Sequence, residues 1–226
     1  MLTVILSVTF LFGSVFMQGT RKDIDPKMIP QSGATTKEFI PKGWKLQDEQ
    51  AGDLNGDGLP DAVLQLIQDL PNPKDEFLER SRALLVLFKT SDGKYMRAAV
   101  AAKVLMCAGC GGMLGGTGDS PAADVKIEKG VLIVSQLSGA REATDLLQRF
   151  RYNPQTKQFL LIGQDINSYD RLVGNSEVVS TNFLTGKQIT ERRKLDKKGE
   201  KELLISKTSK TVPKLAKTIE QVDYEQ

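Results

Sequence analysis

The chain has 226 residues, two cysteines, no histidine and a formal net charge of +3. Its apolar fraction of 40% and charged fraction of 26% exclude a disordered polymer and a bundle of membrane spans. The absence of histidine excludes Ser-His-Asp catalysis, Cys-His catalysis and histidine-ligated zinc within this chain. The mild net charge gives no argument for nucleic-acid binding, and we expect none.

The N-terminal segment is apolar. Residues 1–20 carry no charged side chain, and Gly19 is a small residue at which a signal peptidase could cleave. No basic residue precedes the apolar run, so an uncleaved membrane anchor stays open as an alternative. We expect residues 1–19 to be a signal peptide or N-terminal anchor. The protein would then be secreted or periplasmic, with membrane contact only through an uncleaved segment.

The rest of the chain divides by composition. Residues 20–36 contain Pro26, Pro30 and Gly33 without sustained periodicity, which predicts a linker. Residues 208–226 combine scattered apolar residues with lysines and are expected to form a C-terminal tail. The remaining residues, 37–207, would form one domain of ordinary size.

This central region is dominated by short apolar or alternating runs. Strand-sized runs occupy residues 62–67, 83–88, 131–137, 148–152 and 159–162. Hairpin signals separate the runs at Asp92-Gly93, Lys129-Gly130, Asn153-Pro154, Thr185-Gly186 and Lys198-Gly199. Only residues 74–81 favour a helix. The pattern predicts a mostly β, antiparallel, up-and-down meander, sandwich or barrel-like domain with hairpins and little helix.

One loop has the composition of a metal site. In residues 52–64, GDLNGDGLPDAVL, hard oxygen donors follow a D-x-N-x-D-G-x-x-D spacing. The candidate Ca²⁺ ligands are Asp53, Asn55, Asp57, the backbone carbonyl of Leu59, and Asp61. Gly58 permits the reversal that would wrap these groups around one centre. The other reading is a turn rich in Asp and Asn that caps a strand without a metal.

The loop resembles the calcium loops of FG-GAP and VCBS-type repeats, known from integrin α-chain propellers and many bacterial surface proteins. An EF-hand is excluded because its twelfth position is Leu64 and the following segment is β-like. The motif occurs once and lacks the Phe-Gly and Gly-Ala-Pro elements, so the resemblance implies the loop and not a full propeller. The segments FIPKGWK, CAGCGG, RFRY and STNFLTGK are similar to exported bacterial proteins with a single repeat, from which no activity follows.

Cys107 and Cys110 form a C-A-G-C motif within a glycine-rich loop, residues 106–118. Glycines after Cys110 argue against the helix that usually follows a redox CxxC. A zinc site would need two further ligands of the same kind. We predict a structural disulfide formed in an oxidising compartment, with redox chemistry or free thiols as alternatives.

These observations favour an exported calcium-binding β-domain, a non-catalytic binding or structural module of the cell envelope. Its partner would be an envelope glycan or protein, and Trp44 would be a ligand platform or, more simply, a core residue. A thiol-disulfide protein is one alternative. A hydrolase is the other, with candidate carboxylates Glu142, Asp145, Asp165 and Asp170.

Overall fold

The computed structural model describes residues 21–70, 78–120, 123–196 and 198–224. It contains twelve strands and three short 3-10 helices in these ranges. The strands are β1 (Ser32–Gly33), β2 (Trp44–Gly52), β3 (Asp61–Gln68), β4 (Arg82–Lys89), β5 (Tyr95–Ala101), β6 (Ala123–Glu128), β7 (Val131–Gly139), β8 (Glu142–Asn153), β9 (Gln158–Asp170), β10 (Asn175–Asn182), β11 (Lys187–Leu195) and β12 (Glu202–Thr211). The 3-10 helices are Pro26–Met28, Thr36–Phe39 and Ile219–Gln221. The apolar residues 1–20 and residues 74–77 of the helix-favouring run lie outside the described ranges.

Two antiparallel sheets form the domain. The first has five strands in the order β1-β5-β4-β3-β2, and the second has seven in the order β12-β11-β10-β9-β8-β7-β6. Each of the five predicted turns joins two consecutive strands as a hairpin: β4–β5, β6–β7, β8–β9, β10–β11 and β11–β12. The prediction of a mostly β, antiparallel fold is therefore confirmed. Within the described ranges neither sheet closes on itself into a barrel, and no helix is long and apolar enough to cross a membrane.

The apolar runs that become β3 and β4 occupy the middle of the first sheet. Every residue of β3 is buried, because both faces of this sheet are covered. Val63 and Val86 point toward the second sheet and pack with Val134 and Phe150. On the other face the β3 residue Leu64 packs within a separate core cluster. The sequence of a strand buried on both faces is a continuous apolar run, whereas the sequence of a half-buried strand alternates between apolar and polar residues.

The second core cluster is completed by the segment that we expected to be a linker. Ile24 and Ile29 from this segment are 2% and 3% exposed and pack with Phe39 against the first sheet. Strand β1 pairs with the edge of β5. Residues 21–36 therefore belong to the folded domain, and their contacts are with residues distant in sequence, which local composition does not reveal.

The expected C-terminal tail also joins the core. Ile219 and Val222 are buried in the cluster between the sheets, and Leu161 donates a backbone hydrogen bond to the carbonyl of Lys217. Strand β12 extends to Thr211, four residues beyond the boundary drawn at residue 207. Ile219 begins the 3-10 helix and Val222 follows it, so this short element returns the end of the chain to the core.

Arg82 is a buried cation inside the first sheet and fixes the loop that follows β5. It is 1% exposed, and burial lowers the pKa of its guanidinium to about 10. Its Nε donates to Gln47 Oε1 at 3.0 Å, and its two terminal nitrogens donate to the carbonyls of Met106, Gly116 and Ser120 at 2.7–3.3 Å. A guanidinium can serve several acceptors at once because its five N–H groups are held in one plane.

We expect Arg82→Met to lower the free energy of unfolding by about 3 kcal/mol, because it leaves several buried carbonyls without a donor. The measurement is urea unfolding monitored by circular dichroism. Arg151→Met, which removes an exposed arginine of β8, is the control and should change the free energy by less than about 0.5 kcal/mol. Equal effects of the two substitutions would contradict the structural role of Arg82.

Candidate functional site

The predicted calcium loop connects β2 to β3, between the paired residues Gly52 and Asp61. Gly58 has a φ of +82°, a conformation that a side chain would strain. Asp53 accepts hydrogen bonds from the backbone N–H groups of Gly56 at 2.7 Å and Gly58 at 2.9 Å. These N–H groups lower the pKa of the Asp53 carboxyl, so the carboxylate is charged at any physiological pH.

Asn55 and Asp57 lie side by side within the same loop. Asn55 Nδ2 donates to Asp57 Oδ2 at 2.9 Å, and Asn55 Oδ1 accepts the backbone N–H of Asp57. Asp57 Oδ1 accepts the N–H of Leu59 at 2.8 Å. Each of these contacts joins a side chain to its own loop, as in a turn rich in Asp and Asn, and Asp57 remains exposed.

Asp61 differs from the other predicted ligands because it is completely buried. Its Oδ2 accepts the backbone N–H of Leu54 at 2.8 Å, and its Oδ1 accepts that of Lys89 at 2.9 Å. Burial raises the pKa of this carboxyl, and the nearby carboxylates of Asp57 and Asp53 raise it further. Asp61 therefore ties the loop to the neighbouring strand β4 and adds to a concentration of negative charge.

The donor set is chemically suited to a hard dication. Carboxylate, amide and backbone carbonyl oxygens are the groups that Ca²⁺ takes, six to eight at a time with water completing the shell. Each oxygen of Asp61 already accepts one backbone hydrogen bond and has a lone pair left for a metal. The assignment of Asp53, Asn55, Asp57, Leu59 and Asp61 as ligands stays a prediction.

An open groove of about 680 Å³ adjoins the loop. Asn55, Asp57 and Leu59 form one wall, and its other residues include Lys89, Arg97, Tyr152 and Lys157. The Tyr152 ring packs edge-on against Phe88, with ring centroids 4.9 Å apart. The groove therefore combines an aromatic surface with three basic side chains next to the acidic loop.

The cysteine loop lies beside Arg82. Cys107 and Cys110 are within disulfide-bonding distance, with Cα atoms 5.4 Å apart, as predicted. Cys107 is 2% exposed, whereas Cys110 is partly exposed. Gly111 and Gly115 approach so closely that a Cβ on Gly115 would lie 2.2 Å from Gly111 Cα. Gly111 and Gly115 are therefore needed for the close packing of the loop backbone.

Charged groups that the sequence did not single out surround the two sulfurs. Arg21 Nη1 is 3.4 Å from Cys107 Sγ, 3.6 Å from Cys110 Sγ and 3.3 Å from the hydroxyl oxygen of Tyr224. A carboxylate oxygen of Glu79 lies within 4.8 Å of both sulfurs. Arg21 and Glu79 are far from the C-A-G-C motif in sequence and follow no motif of their own, so only the fold brings them there.

The four candidate catalytic carboxylates do not gather in one cleft. Asp165 pairs with Arg149 at 2.8 Å, and Asp145 is an exposed residue of β8. Glu142 and Asp170 are opposite each other in the β8–β9 ladder, but Asp170 is held by Arg141 at 2.8 Å. The hydrogen bond from Arg141, assisted by the N–H of Leu172, lowers the pKa of Asp170 to about 2, which makes it unsuitable as a general acid near neutral pH.

Trp44 begins β2 and is partly buried against the core cluster that contains Ile24 and Phe39. It does not line the groove beside the acidic loop. The core interpretation of this residue therefore fits its surroundings better than a ligand platform.

Comparisons with protein-family models, curated proteins and solved structures found no match to this chain.

The Asp170–Arg141 pair makes stability depend on pH. Since folding lowers the pKa of Asp170 from about 3.8 to about 2, its stabilising contribution is complete above pH 4 and is lost as the pH falls toward 2. We expect Asp170→Asn to reduce the free energy of unfolding at pH 6 and the difference from wild type to shrink by pH 2. Urea unfolding of the wild-type protein and of Asp170→Asn between pH 6 and pH 2 measures this difference. Asp145→Asn is the control and should show no such convergence.

Proposed function

We propose that this protein is an exported calcium-binding β-domain that serves as a non-catalytic binding or structural module of the cell envelope. The observation that carries the proposal is the β2–β3 loop, in which Asp53, Asn55 and Asp57 accept hydrogen bonds from the loop backbone, with Asp61 at its base. The loop joins the inner strand β3 to β2 at the edge of the five-stranded sheet, so a bound ion would brace the hairpin at this edge.

The electrostatics of the loop support a cation. The carboxylates of Asp53 and Asp57 each raise the pKa of Asp61, because each repels a negative charge on it. A dication would remove this repulsion. An affinity of about 10⁻⁴–10⁻³ M is normal for extracellular calcium modules.

Export is supported by two features. Residues 1–20 have the apolar character of a signal peptide or anchor, and Cys107 and Cys110 are positioned for a disulfide, which persists in oxidising compartments. The periplasm and the cell exterior are also the compartments in which a millimolar calcium site would be occupied.

The groove next to the loop is the best candidate for a partner site. Tyr152 offers an aromatic surface, while Lys89, Arg97 and Lys157 add positive charge. Sugars stack on aromatic rings, and acidic groups pair with lysine and arginine. An envelope glycan or an acidic protein segment would meet both requirements, and neither needs catalysis.

Millimolar Ca²⁺ is expected to raise the melting temperature of the protein, and Asp57→Ala is expected to abolish the rise. An ion bound only by the folded state stabilises it by RT ln(1 + c/Kd), where c is the free calcium concentration, so the rise grows with that concentration. The measurement is differential scanning calorimetry with Ca²⁺, with Mg²⁺ and with a chelator.

Asp92→Ala is a matched control, because Asp92 also accepts local hydrogen bonds in an exposed hairpin turn but lies outside the loop. It should leave the calcium-dependent rise intact. Identical melting curves of the wild-type protein in calcium and in chelator would remove the proposed metal site.

A thiol-disulfide protein is the second candidate, favoured by the position of Arg21 next to both sulfurs. In this reaction a thiolate of a substrate dithiol attacks Cys110 Sγ, the Cys107–Cys110 bond breaks, and Cys107 leaves as a thiolate. The second substrate thiolate then attacks the substrate sulfur of the mixed disulfide and releases Cys110. The substrate gains a disulfide and loses two electrons, which this protein accepts. Arg21 would stabilise the thiolate products.

If this candidate is correct, Arg21→Gln lowers the reduction potential by about 30 mV or more. The reduced form loses a nearby cation that stabilises its thiolates by the equivalent of about one pKa unit. The potential is measured by equilibration with glutathione buffers. Arg151→Gln serves as the control. A wild-type reduction potential below about −300 mV that Arg21→Gln leaves unchanged would identify Cys107–Cys110 as a structural disulfide.

A further inference from the structure

Strands β10–β12 extend beyond the part of the second sheet that faces the first. In β10 one residue, Thr181, is buried, in β11 none is buried, and in β12 all ten residues are exposed. By contrast, every residue of β3 is buried. Strand β12 lies at the end of the strand order, so within the described ranges one side of its backbone has no strand partner.

The first half of β12 is apolar despite this exposure. Leu203, Leu204 and Ile205 are 44%, 56% and 54% exposed. Leu195, at the end of β11, is 36% exposed, and Leu172, in the β9–β10 turn, is 73% exposed. An exposed strand edge with consecutive large apolar residues is a ready template for another strand, and stable proteins normally protect such an edge.

The charges of β12 are distributed so that the strand complements itself. Glu202 is at its start, while Lys207 and Lys210 are in its second half. Two copies related by a twofold axis pair their edges antiparallel, which places the acidic start of each strand against the basic half of the other. If Ser206 lies on the axis, Glu202 is directly opposite Lys210 of the second copy, and the overlap extends from residue 202 to residue 210. This overlap includes the register shift of β12 against β11 at Ile205, and Glu202 exchanges its contact with Arg193 at 3.4 Å for Lys210.

We propose that β12 is a homodimer interface, at which two copies of this chain pair antiparallel about Ser206 and join their seven-stranded sheets into one continuous sheet. The ladder supplies partners for the free backbone groups of the edge, and Leu203, Leu204 and Ile205 gain neighbours in Ser209, Thr208 and Lys207 of the second copy, which cover part of their apolar surface. Glu202–Lys210 ion pairs at both ends set the register, in the manner of opposite charges across neighbouring strands.

A second copy fits this surface better than a lipid membrane does. Acidic and basic side chains alternate over it, with Glu177 paired to Arg192 at 2.6 Å and Glu191 to Lys207 at 2.7 Å. An anionic bilayer attracts clusters of basic residues and gains little from a surface whose cations are already paired. Mixed charge of both signs is instead what a self-complementary contact uses.

The test is sedimentation equilibrium of the full chain from about 1 to 500 μM. We expect a monomer–dimer equilibrium for the wild-type protein and at least a tenfold weaker dimer for Leu204→Arg. Leu184→Arg is the matched control, since Leu184 is similarly exposed at 52% but lies in the β10–β11 turn. Circular dichroism and thermal unfolding check that each variant is folded.

A charge exchange tests the register. Glu202→Lys and Lys210→Glu should each weaken the dimer, because each substitution places like charges opposite each other at both ends of the ladder. The double variant restores opposite charges and should recover most of the affinity. Lys126→Glu, on the far edge of the same sheet, should have no effect. Three results would each overturn the proposal: a wild-type monomer at every concentration, a dimer insensitive to Leu204→Arg, or loss of affinity in both single variants without recovery in the double variant. Association with anionic vesicles by a chain that stays monomeric would assign the surface to lipid instead.

Discussion

Strands β3 and β4 have no face toward water, and the arrangement of the other elements follows from that constraint. One face of their sheet packs on the seven-stranded sheet, and the other is covered by the N-terminal segment that contains Ile24, Ile29 and Phe39. Burying both faces of a strand removes more apolar area from water than burying one, so the central strands are the least replaceable part of the fold. The acidic loop and the cysteine loop both connect to this sheet, and each is positioned by it.

The two loops are attached to the core by opposite charges. Asp61 lies at the base of the acidic loop and accepts backbone N–H groups from the loop and from β4. Arg82 donates to backbone carbonyls of the glycine-rich segment. A buried charge is tolerated only where hydrogen bonds replace its hydration, and here each charge is satisfied by the loop that it holds. The loop side chains that remain at the surface are thereby free to meet a metal or a partner.

The second sheet divides into a packed half and an open half. Strands β6–β9 contribute Val125, Val134, Phe150 and Phe159 to the common core, whereas β12 contributes no buried residue. The same alternating pattern therefore has different consequences in different places, because burial depends on whether another layer lies above the strand. The open half combines paired charges with the exposed Leu203, Leu204 and Ile205.

Local sequence determined the elements of this protein. The turn dipeptides gave the hairpins, apolar runs gave β3 and β4, and the D-x-N-x-D-G-x-x-D spacing singled out a loop whose side chains bond to its own backbone, because these signals act between residues close in the chain. Tertiary structure alone decided that Ile24 and Ile219 enter the core, that Asp61 is buried while Asp57 is not, and that Arg21 and Glu79 approach the cysteines. Each of these depends on contacts between distant residues, whose pairing is fixed by how the sheets stack and leaves no periodic trace in the sequence.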